Sequence, residues 1–248
     1  EDGDTSITAD TDDQIDFKTG GTDRAAIDAS GRVIVGSTSN VNAGNTTPRF
    51  QVQGTDYATT SLSLLGQRSG TASGPTLGFA RSRNGTIGSN TIVQENDQLG
   101  KIRFFGDDGN DLNNYGAEIF CAVDATPGSD DMPGRIVFGT TADGATASTE
   151  KMRIDKDGRL LFRKTSDSLT TTGIQLNTYD AISVTRGAGA TLDLNRQSND
   201  GDIVIFYQGG NAEGTISISG STTSYNGFTG THWSRLADNS KPTILKGT

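Results

Sequence analysis

Three sets of side chains in this chain have reactive potential. His232 is the single histidine, so any Ser-His-Asp nucleophile has to be built on it. There is no Gly-x-Ser-x-Gly elbow to present a serine. The neighbouring Phe228 and Trp233 suit a packed aromatic turn, in which the imidazole is structural or interfacial. Glu95, Asp97, Asp107 and Asp108 offer the paired carboxylates of glycoside hydrolysis. All four sit in polar, turn-like sequence, and only 6% of the chain is aromatic, too little to line a groove that holds a sugar. Asp107-Asp108-Gly109-Asn110-Asp111 and Asp155-Lys156-Asp157-Gly158 set oxygen ligands at the short spacing of a calcium loop. Neither continues to the twelfth-position glutamate of an EF-hand. Asp-Gly in a β-turn accounts for both without a metal, and 107–111 is the better candidate if an ion binds.

The single cysteine, Cys121, excludes an intrachain disulfide and a cysteine-based zinc site. Within Ala117–Val123 it reads as a small buried strand residue. Arg32 and Arg159 each follow a turn glycine at the start of a strand. There a guanidinium can pair with Asp28 or Asp155 across the hairpin, or with a neighbouring chain.

Those arginines belong to a phrase that the chain states twice. Arg-Ala-Ala-Ile-Asp-Ala-Ser-Gly-Arg-Val-Ile-Val at 24–35 returns as Lys-Met-Arg-Ile-Asp-Lys-Asp-Gly-Arg-Leu-Leu-Phe at 151–162. Each copy outlines a hairpin: an apolar strand end, an Asp-x-x-Gly turn and a second apolar strand. A repeated unit of this kind cannot bury its apolar face alone, which argues for an elongated β-structure.

Alternation of apolar and polar residues at period two dominates elsewhere. It is clear in Phe50-Gln51-Val52-Gln53, Leu62-Ser63-Leu64, Lys101-Ile102-Arg103-Phe104, Leu192-Asp193-Leu194 and Thr215–Ser219. Asn84-Gly85, Asp108-Gly109, Asp157-Gly158 and Asp200-Gly201 are the dipeptides that reach positive φ cheaply and close hairpins. No stretch makes a convincing amphipathic helix, and the best candidate, Ser148–Ile154, spans only about two turns at 3.6 residues each and ends in the hairpin phrase. A second echo runs through the chain. Thr76–Arg81 matches Thr191–Arg196, and Gly100–Phe105 matches Gly201–Phe206, so Thr86–Leu99 reads as a loop insertion in the first copy. Thr86–Leu99, Gly106–Tyr115, Thr126–Gly134 and Ala142–Thr149 are the loops on which recognition is expected.

Composition limits the rest. The chain has 248 residues, of which 31% are hydrophobic and 33 are glycine, leaving a thin core for a lone globule of this size. Disorder is the rival reading, but disordered chains lack such alternating runs. Oligomerisation rescues a thin core by burying faces that one subunit cannot, so a stable assembly is expected. The net charge of −9 weighs against nucleic acid, whose phosphates need clustered Lys and Arg. No run approaches the roughly 18 apolar residues of a membrane span, and none looks like a signal peptide. The chain opens at Glu1 and stops at Thr248 without a terminating element, so a piece of a longer or processed polypeptide is expected.

Glu150–Arg159 closely resembles an "E-R-M-R-I-D-x-x-G" phrase that recurs in tail fibres and receptor-binding proteins of tailed bacteriophages. There it commonly continues into a Gly-Thr-Thr-x-Pro connection and an "L-x-V-x-G" strand. Here the first copy continues through Val35–Thr38 to Thr47–Gly54, with the longer spacer Asn40–Thr46. Tyr225–Leu236 is similar to a segment that precedes C-terminal chaperone or self-cleaving modules in such fibres. The resemblance implies a homotrimer wound or packed about a long axis, in the adsorption apparatus of a virion.

The expected fold is therefore all-β, essentially without helix: an elongated homotrimeric fibre of tandem β-hairpin, sandwich-like or intertwined modules. A connecting β segment is expected at 1–26, a first β module at 27–135, a second with the repeated hairpin at 136–220, and an aromatic segment at 221–248. The expected function is a structural part of a phage tail fibre that attaches the virion to the host surface. The alternatives are a surface-polysaccharide depolymerase and a purely architectural connector. The chain is not expected to be an enzyme, and no catalytic, cofactor-binding, metal-binding or receptor-binding residue is assigned. The expected partners are two identical chains, other tail or baseplate proteins, and a host-surface glycan or outer-membrane protein. Nucleic acid and membrane insertion are not expected, and the expected location is the virion tail.

Overall fold

A computed structural model describes residues 4–9, 13–67, 69–70 and 72–227. The described residues form strands and no helix, gathered into three sheets. They divide into two compact units, Glu1–Ala188 and Gly189–Thr248.

The first unit opens with a five-stranded sheet of β1 (Ser6–Thr8), β2 (Ile15–Thr19), β3 (Thr22–Ile27), β4 (Val33–Val35) and β5 (Phe50–Val52), in chain order. Neighbours are antiparallel except β4 and β5, which run parallel. Parallel neighbours need a crossover long enough to bring the chain back to its starting end, and residues 36–49 supply it. A seven-stranded antiparallel meander follows: β6 (Gln98–Phe105), β7 (Tyr115–Val123), β8 (Gly134–Thr140), β9 (Thr149–Ile154), β10 (Leu160–Phe162), β11 (Gly173–Leu176) and β12 (Ile182–Thr185). The crossover touches the loop between β6 and β7 of this second sheet. Gly44 N–H donates to the Leu112 carbonyl at 3.0 Å, and Asn45 N–H to Asn113 Oδ1 at 2.7 Å. The second unit is a three-stranded antiparallel sheet of β13 (Gly201–Gln208), β14 (Asn211–Ser219) and β15 (Thr222–Asn226).

Both copies of the phrase are hairpins in one register. Ala25, Ala26 and Ile27 stand opposite Val35, Ile34 and Val33, while Met152, Arg153 and Ile154 stand opposite Phe162, Leu161 and Leu160. Each turn glycine has positive φ, 70° at Gly31 and 83° at Gly158, a conformation that costs glycine little and L side chains much. The stretch Ser148–Ile154, too short for a convincing helix, is strand β9 from Thr149 onward. Its residues pair on both sides, with β8 and β10, and that tertiary pairing overrides local propensity.

Expectation and structure differ at two alternating runs. Leu62–Leu64 and Leu192–Leu194 belong to no sheet. Hairpins are closed at Gly20-Gly21 and Gly209-Gly210, all four at positive φ, whereas Asp200-Gly201 leads into β13 and closes none.

The core lies on one side of each large sheet. In the first, Ala26 and Ile34 are cross-strand neighbours and fully buried. In the second, Val137, Arg153, Leu161 and Gln175 form one cross-strand row, in which Val137 and Leu161 are fully buried and Gln175 nearly so. Burial of a leucine side chain such as Leu161 contributes about 2 kcal/mol. A polar network fills the space beside it. Lys164 Nζ donates to Gln175 Oε1 and to the Ser168 carbonyl, each at 2.6 Å, and Gln175 Nε2 donates to Asn177 Oδ1 at 2.6 Å and Asp167 Oδ1 at 2.8 Å. These bonds offset the cost of removing the amides and the ammonium from water.

Candidate functional site

The most distinctive surface is the other side of the seven-stranded sheet. Side chains alternate along a strand, so residues in direct cross-strand register share a face. One such row runs Ile102, Ile119, Phe138, Met152, Phe162, Ile174, Val184 across all seven strands. The next row runs Gly100, Cys121, Ile136, Ile154, Leu160, Leu176, Ile182. Neither row contains a charged residue. Both are open to solvent, with Phe162 43% and Ile182 72% exposed. At about 4.8 Å between strands the rows extend roughly 30 Å, making an apolar patch at the upper end of what a lone soluble chain exposes.

The five-stranded sheet repeats the design. Ile7, Phe17, Ala25, Val35 and Val52 form one cross-strand row, and Ile15, Ile27, Val33 and Phe50 form another. Phe50 is 54% exposed. The face that carries Ile27 and Val33 in the first hairpin therefore corresponds to the face that carries Ile154 and Leu160 in the second.

Charged groups lie off these faces and are locked into the scaffold. Arg83 grips Asp97 with two bonds, Nε to Oδ2 at 2.6 Å and Nη2 to Oδ1 at 2.8 Å. Gln94 N–H donates to Oδ2 at 2.9 Å, and Arg81 Nη2 stands 3.1 Å from Oδ1. The Arg83 bonds first, then the Gln94 N–H, hold the Asp97 carboxyl far below the usual carboxylate range. A glycosidic general acid needs its pKa raised, so Asp97 is unsuited to that role. Glu95 is an exposed loop residue. Asp108 is bonded by the N–H groups of Asp111 and Asn110 and by the Asn114 amide, which lower its pKa. Asp107 Oδ1 accepts the Gly109 N–H at 2.8 Å. The 107–111 loop thus spends carboxylate oxygens on its own backbone, as expected of an Asx turn. Among the described residues no three His, Cys, Asp or Glu side chains gather as a metal site.

Arg32 and Arg159 take the first of the two pairings expected of them, with Asp28 at 2.5 Å and Asp155 at 2.8 Å. Burial alone raises the Asp28 carboxyl, but bonds from Arg32 and Ser30 outweigh it and leave it lowered. Cys121 lies in β7 as expected but is half-buried rather than buried. It lines a groove of about 310 Å³ with Phe79, Ile102, Ile119 and Ile136, because its strand position places it on the open apolar face. His232, Trp233 and Phe228 lie outside the described residues.

No protein-family model and no curated protein sequence matches this chain. Among solved structures, the carboxy-terminal domain of the bacteriophage T5 L-shaped tail fibre is similar to it. The two are 13% identical, the likeness covers 75% of this chain and 77% of that one, and the TM-score is 0.48.

Three of the four loops expected from sequence, at 106–115, 126–134 and 142–149, stand between strands of the meander, while 86–99 leads into its first strand; the apolar face itself was not read as a surface. Its signal was present in the alternation of Lys101-Ile102-Arg103-Phe104. Only the register adds such strands into continuous rows. Arg103, on the opposite face, pairs with Glu118 at 3.0 Å and lies 4.2 Å over the Tyr115 ring. Arg135 likewise pairs with Asp124 at 2.8 Å.

Proposed function

We propose that this chain is a structural and adhesive segment of a tailed-bacteriophage tail fibre or receptor-binding protein. In this reading it works as a homotrimer in the virion tail and holds the particle to a host-surface glycan or outer-membrane protein. The observation that carries the proposal is the pair of open apolar rows on each large sheet. Three identical faces turned towards a common axis remove them from water, and identical copies are the partners that a thin-cored, repetitive chain always has at hand. The doubled hairpin phrase, with its resemblance to fibre sequences, supports the same reading. Attachment through three weak contacts acting together supplies avidity without a deep pocket.

Light scattering coupled to size exclusion tests the assembly, and competition of the purified segment against phage adsorption tests attachment. The expected results are three times the chain mass at micromolar concentration and a dose-dependent loss of adsorption. A stable monomer overturns the homotrimer. Trimers that fail to compete overturn the adhesive role and leave an architectural connector. Release of reducing sugar from host polysaccharide overturns the non-enzymatic reading.

A further inference from the structure

Two stretches that echo one another in sequence stand outside every sheet. Thr76–Arg81 and Thr191–Arg196 share Thr-Leu at the start, an apolar residue two positions later and Arg at the end. Every described residue from 54 to 92 and from 186 to 200 is exposed. Leu77 is 61% and Leu192 68% exposed. Alternation of this kind belongs to a half-buried strand, and the described residues supply neither burial nor a ladder.

The first stretch shows where the missing partner lies. Its last residue is pinned to the start of β6, because Arg81 Nη1 donates to the Gln98 carbonyl at 3.0 Å. Phe79 lies directly over Gly100, where a Cβ would stand 2.4 Å from the Phe79 Cβ. The segment therefore crosses the corner of the apolar face beside the groove lined by Ile102, Ile119 and Ile136. Strand β6 is the end strand of its sheet, and an end strand presents outward N–H and C=O groups that template a further strand. One chain thus carries both halves of a β-ladder close together, held by the Arg81 and Phe79 side chains, with no backbone ladder between them among the described residues.

We infer that Thr76–Ala80 is a strand completed between copies: its backbone pairs with the outer edge of β6 in a neighbouring copy, and Leu77 enters the apolar face there. The inference rests on the homotrimer reading and adds to it that the copies exchange strands. A second copy is the occupant because the same chain supplies the lone strand and the open edge. The other echo, Thr191–Arg196, again leads into the end strand of a sheet, β13, with Arg196 Nη1 bound to the Asp202 carbonyl at 3.1 Å.

Hydrogen–deuterium exchange of the intact chain, read by mass spectrometry as a concentration series, tests this. In the assembled protein the amides of 76–80 are expected to exchange at least about 100-fold more slowly than in chains dissociated by dilution. Assemblies of the expected mass in which 76–80 exchanges at the open-chain rate overturn the strand exchange and leave the homotrimer standing. A monomer at every concentration overturns both. Leu77→Asp provides a second arm, since Leu77 is exposed in the single chain and its replacement spares the subunit fold. It is expected to weaken assembly at least tenfold, and an unchanged dissociation constant overturns the inference.

Discussion

Arg159 and Asp155 close the second hairpin through three bonds made by one carboxylate. Oδ2 accepts the Arg159 Nε at 2.8 Å, while Oδ1 accepts the Arg159 N–H at 2.9 Å and the Asp157 N–H at 3.0 Å. Asp28 does the same for Arg32 and Ser30 in the first hairpin. The carboxylate satisfies turn amides and aims the arginine at once, so Asp155→Ala removes both effects. Leaving such groups unpaired costs about 1–3 kcal/mol, and urea unfolding of the variant is expected to show a loss of that size. A variant as stable as the parent shows that the turn holds without its aspartate.

Acid is expected to weaken the fold. Asp28, Asp97, Asp108, Glu118, Asp157 and Asp200 all titrate below their ordinary range. For Glu118 burial pushes upward, and the bonds from Ser148 and Arg103 overcome it. A carboxyl whose pKa is depressed on folding contributes stability that is complete above its unfolded value, near 4, and is lost as pH falls towards its folded value. Thermal melting followed by circular dichroism is expected to be level from pH 7 to about pH 5 and to decline steadily below about pH 4. A melting temperature that does not fall between pH 5 and pH 2 contradicts the ion-pair account.

The two sides of the seven-stranded sheet are expected to respond oppositely to substitution. Leu161→Ala opens a cavity in the core and is expected to cost about 2–5 kcal/mol in chemical denaturation. Ile174→Asp, on the open face, is expected to leave the β-sheet circular dichroism intact while reducing the mass seen by light scattering to that of one chain. If Ile174→Asp keeps the parent mass, the open face is not the contact between copies.

Cys121 reports on the same face without any mutation. As a half-buried thiol lining an open groove, it is expected to react with a maleimide readily in the Ile174→Asp variant. In the assembled protein the reaction is expected to slow at least tenfold. Equal rates place Cys121 away from the contact.

Much of this fold is legible in the residues. Ile27-Asp28 and Ile154-Asp155, each followed by glycine and arginine, specify a hairpin, a register and an ion pair, because Asx-turn chemistry is local. Period-two runs such as Lys101–Phe104 identify strands and their faces. Leu62–Leu64 and Leu192–Leu194 carry the same pattern yet join no sheet, since alternation encodes a half-buried environment and says nothing about which chain provides it. The ion pairs of Asp97 were hidden for another reason. Its partners Arg81 and Arg83 lie across an irregular loop with no period, so only coordinates bring the two guanidiniums to one carboxylate. Ser148–Ile154 is short enough to suit a helix or a strand, and pairing on both flanks decided it.

The twelve-residue phrases at 24–35 and 151–162 fold in one alignment, so the turn is expected to be interchangeable between the two places. Transplanting one block into the place of the other keeps the pleat in phase, so outward side chains stay outward. More sheet of the same register can therefore be specified by duplicating genetic text, without inventing new geometry at each turn.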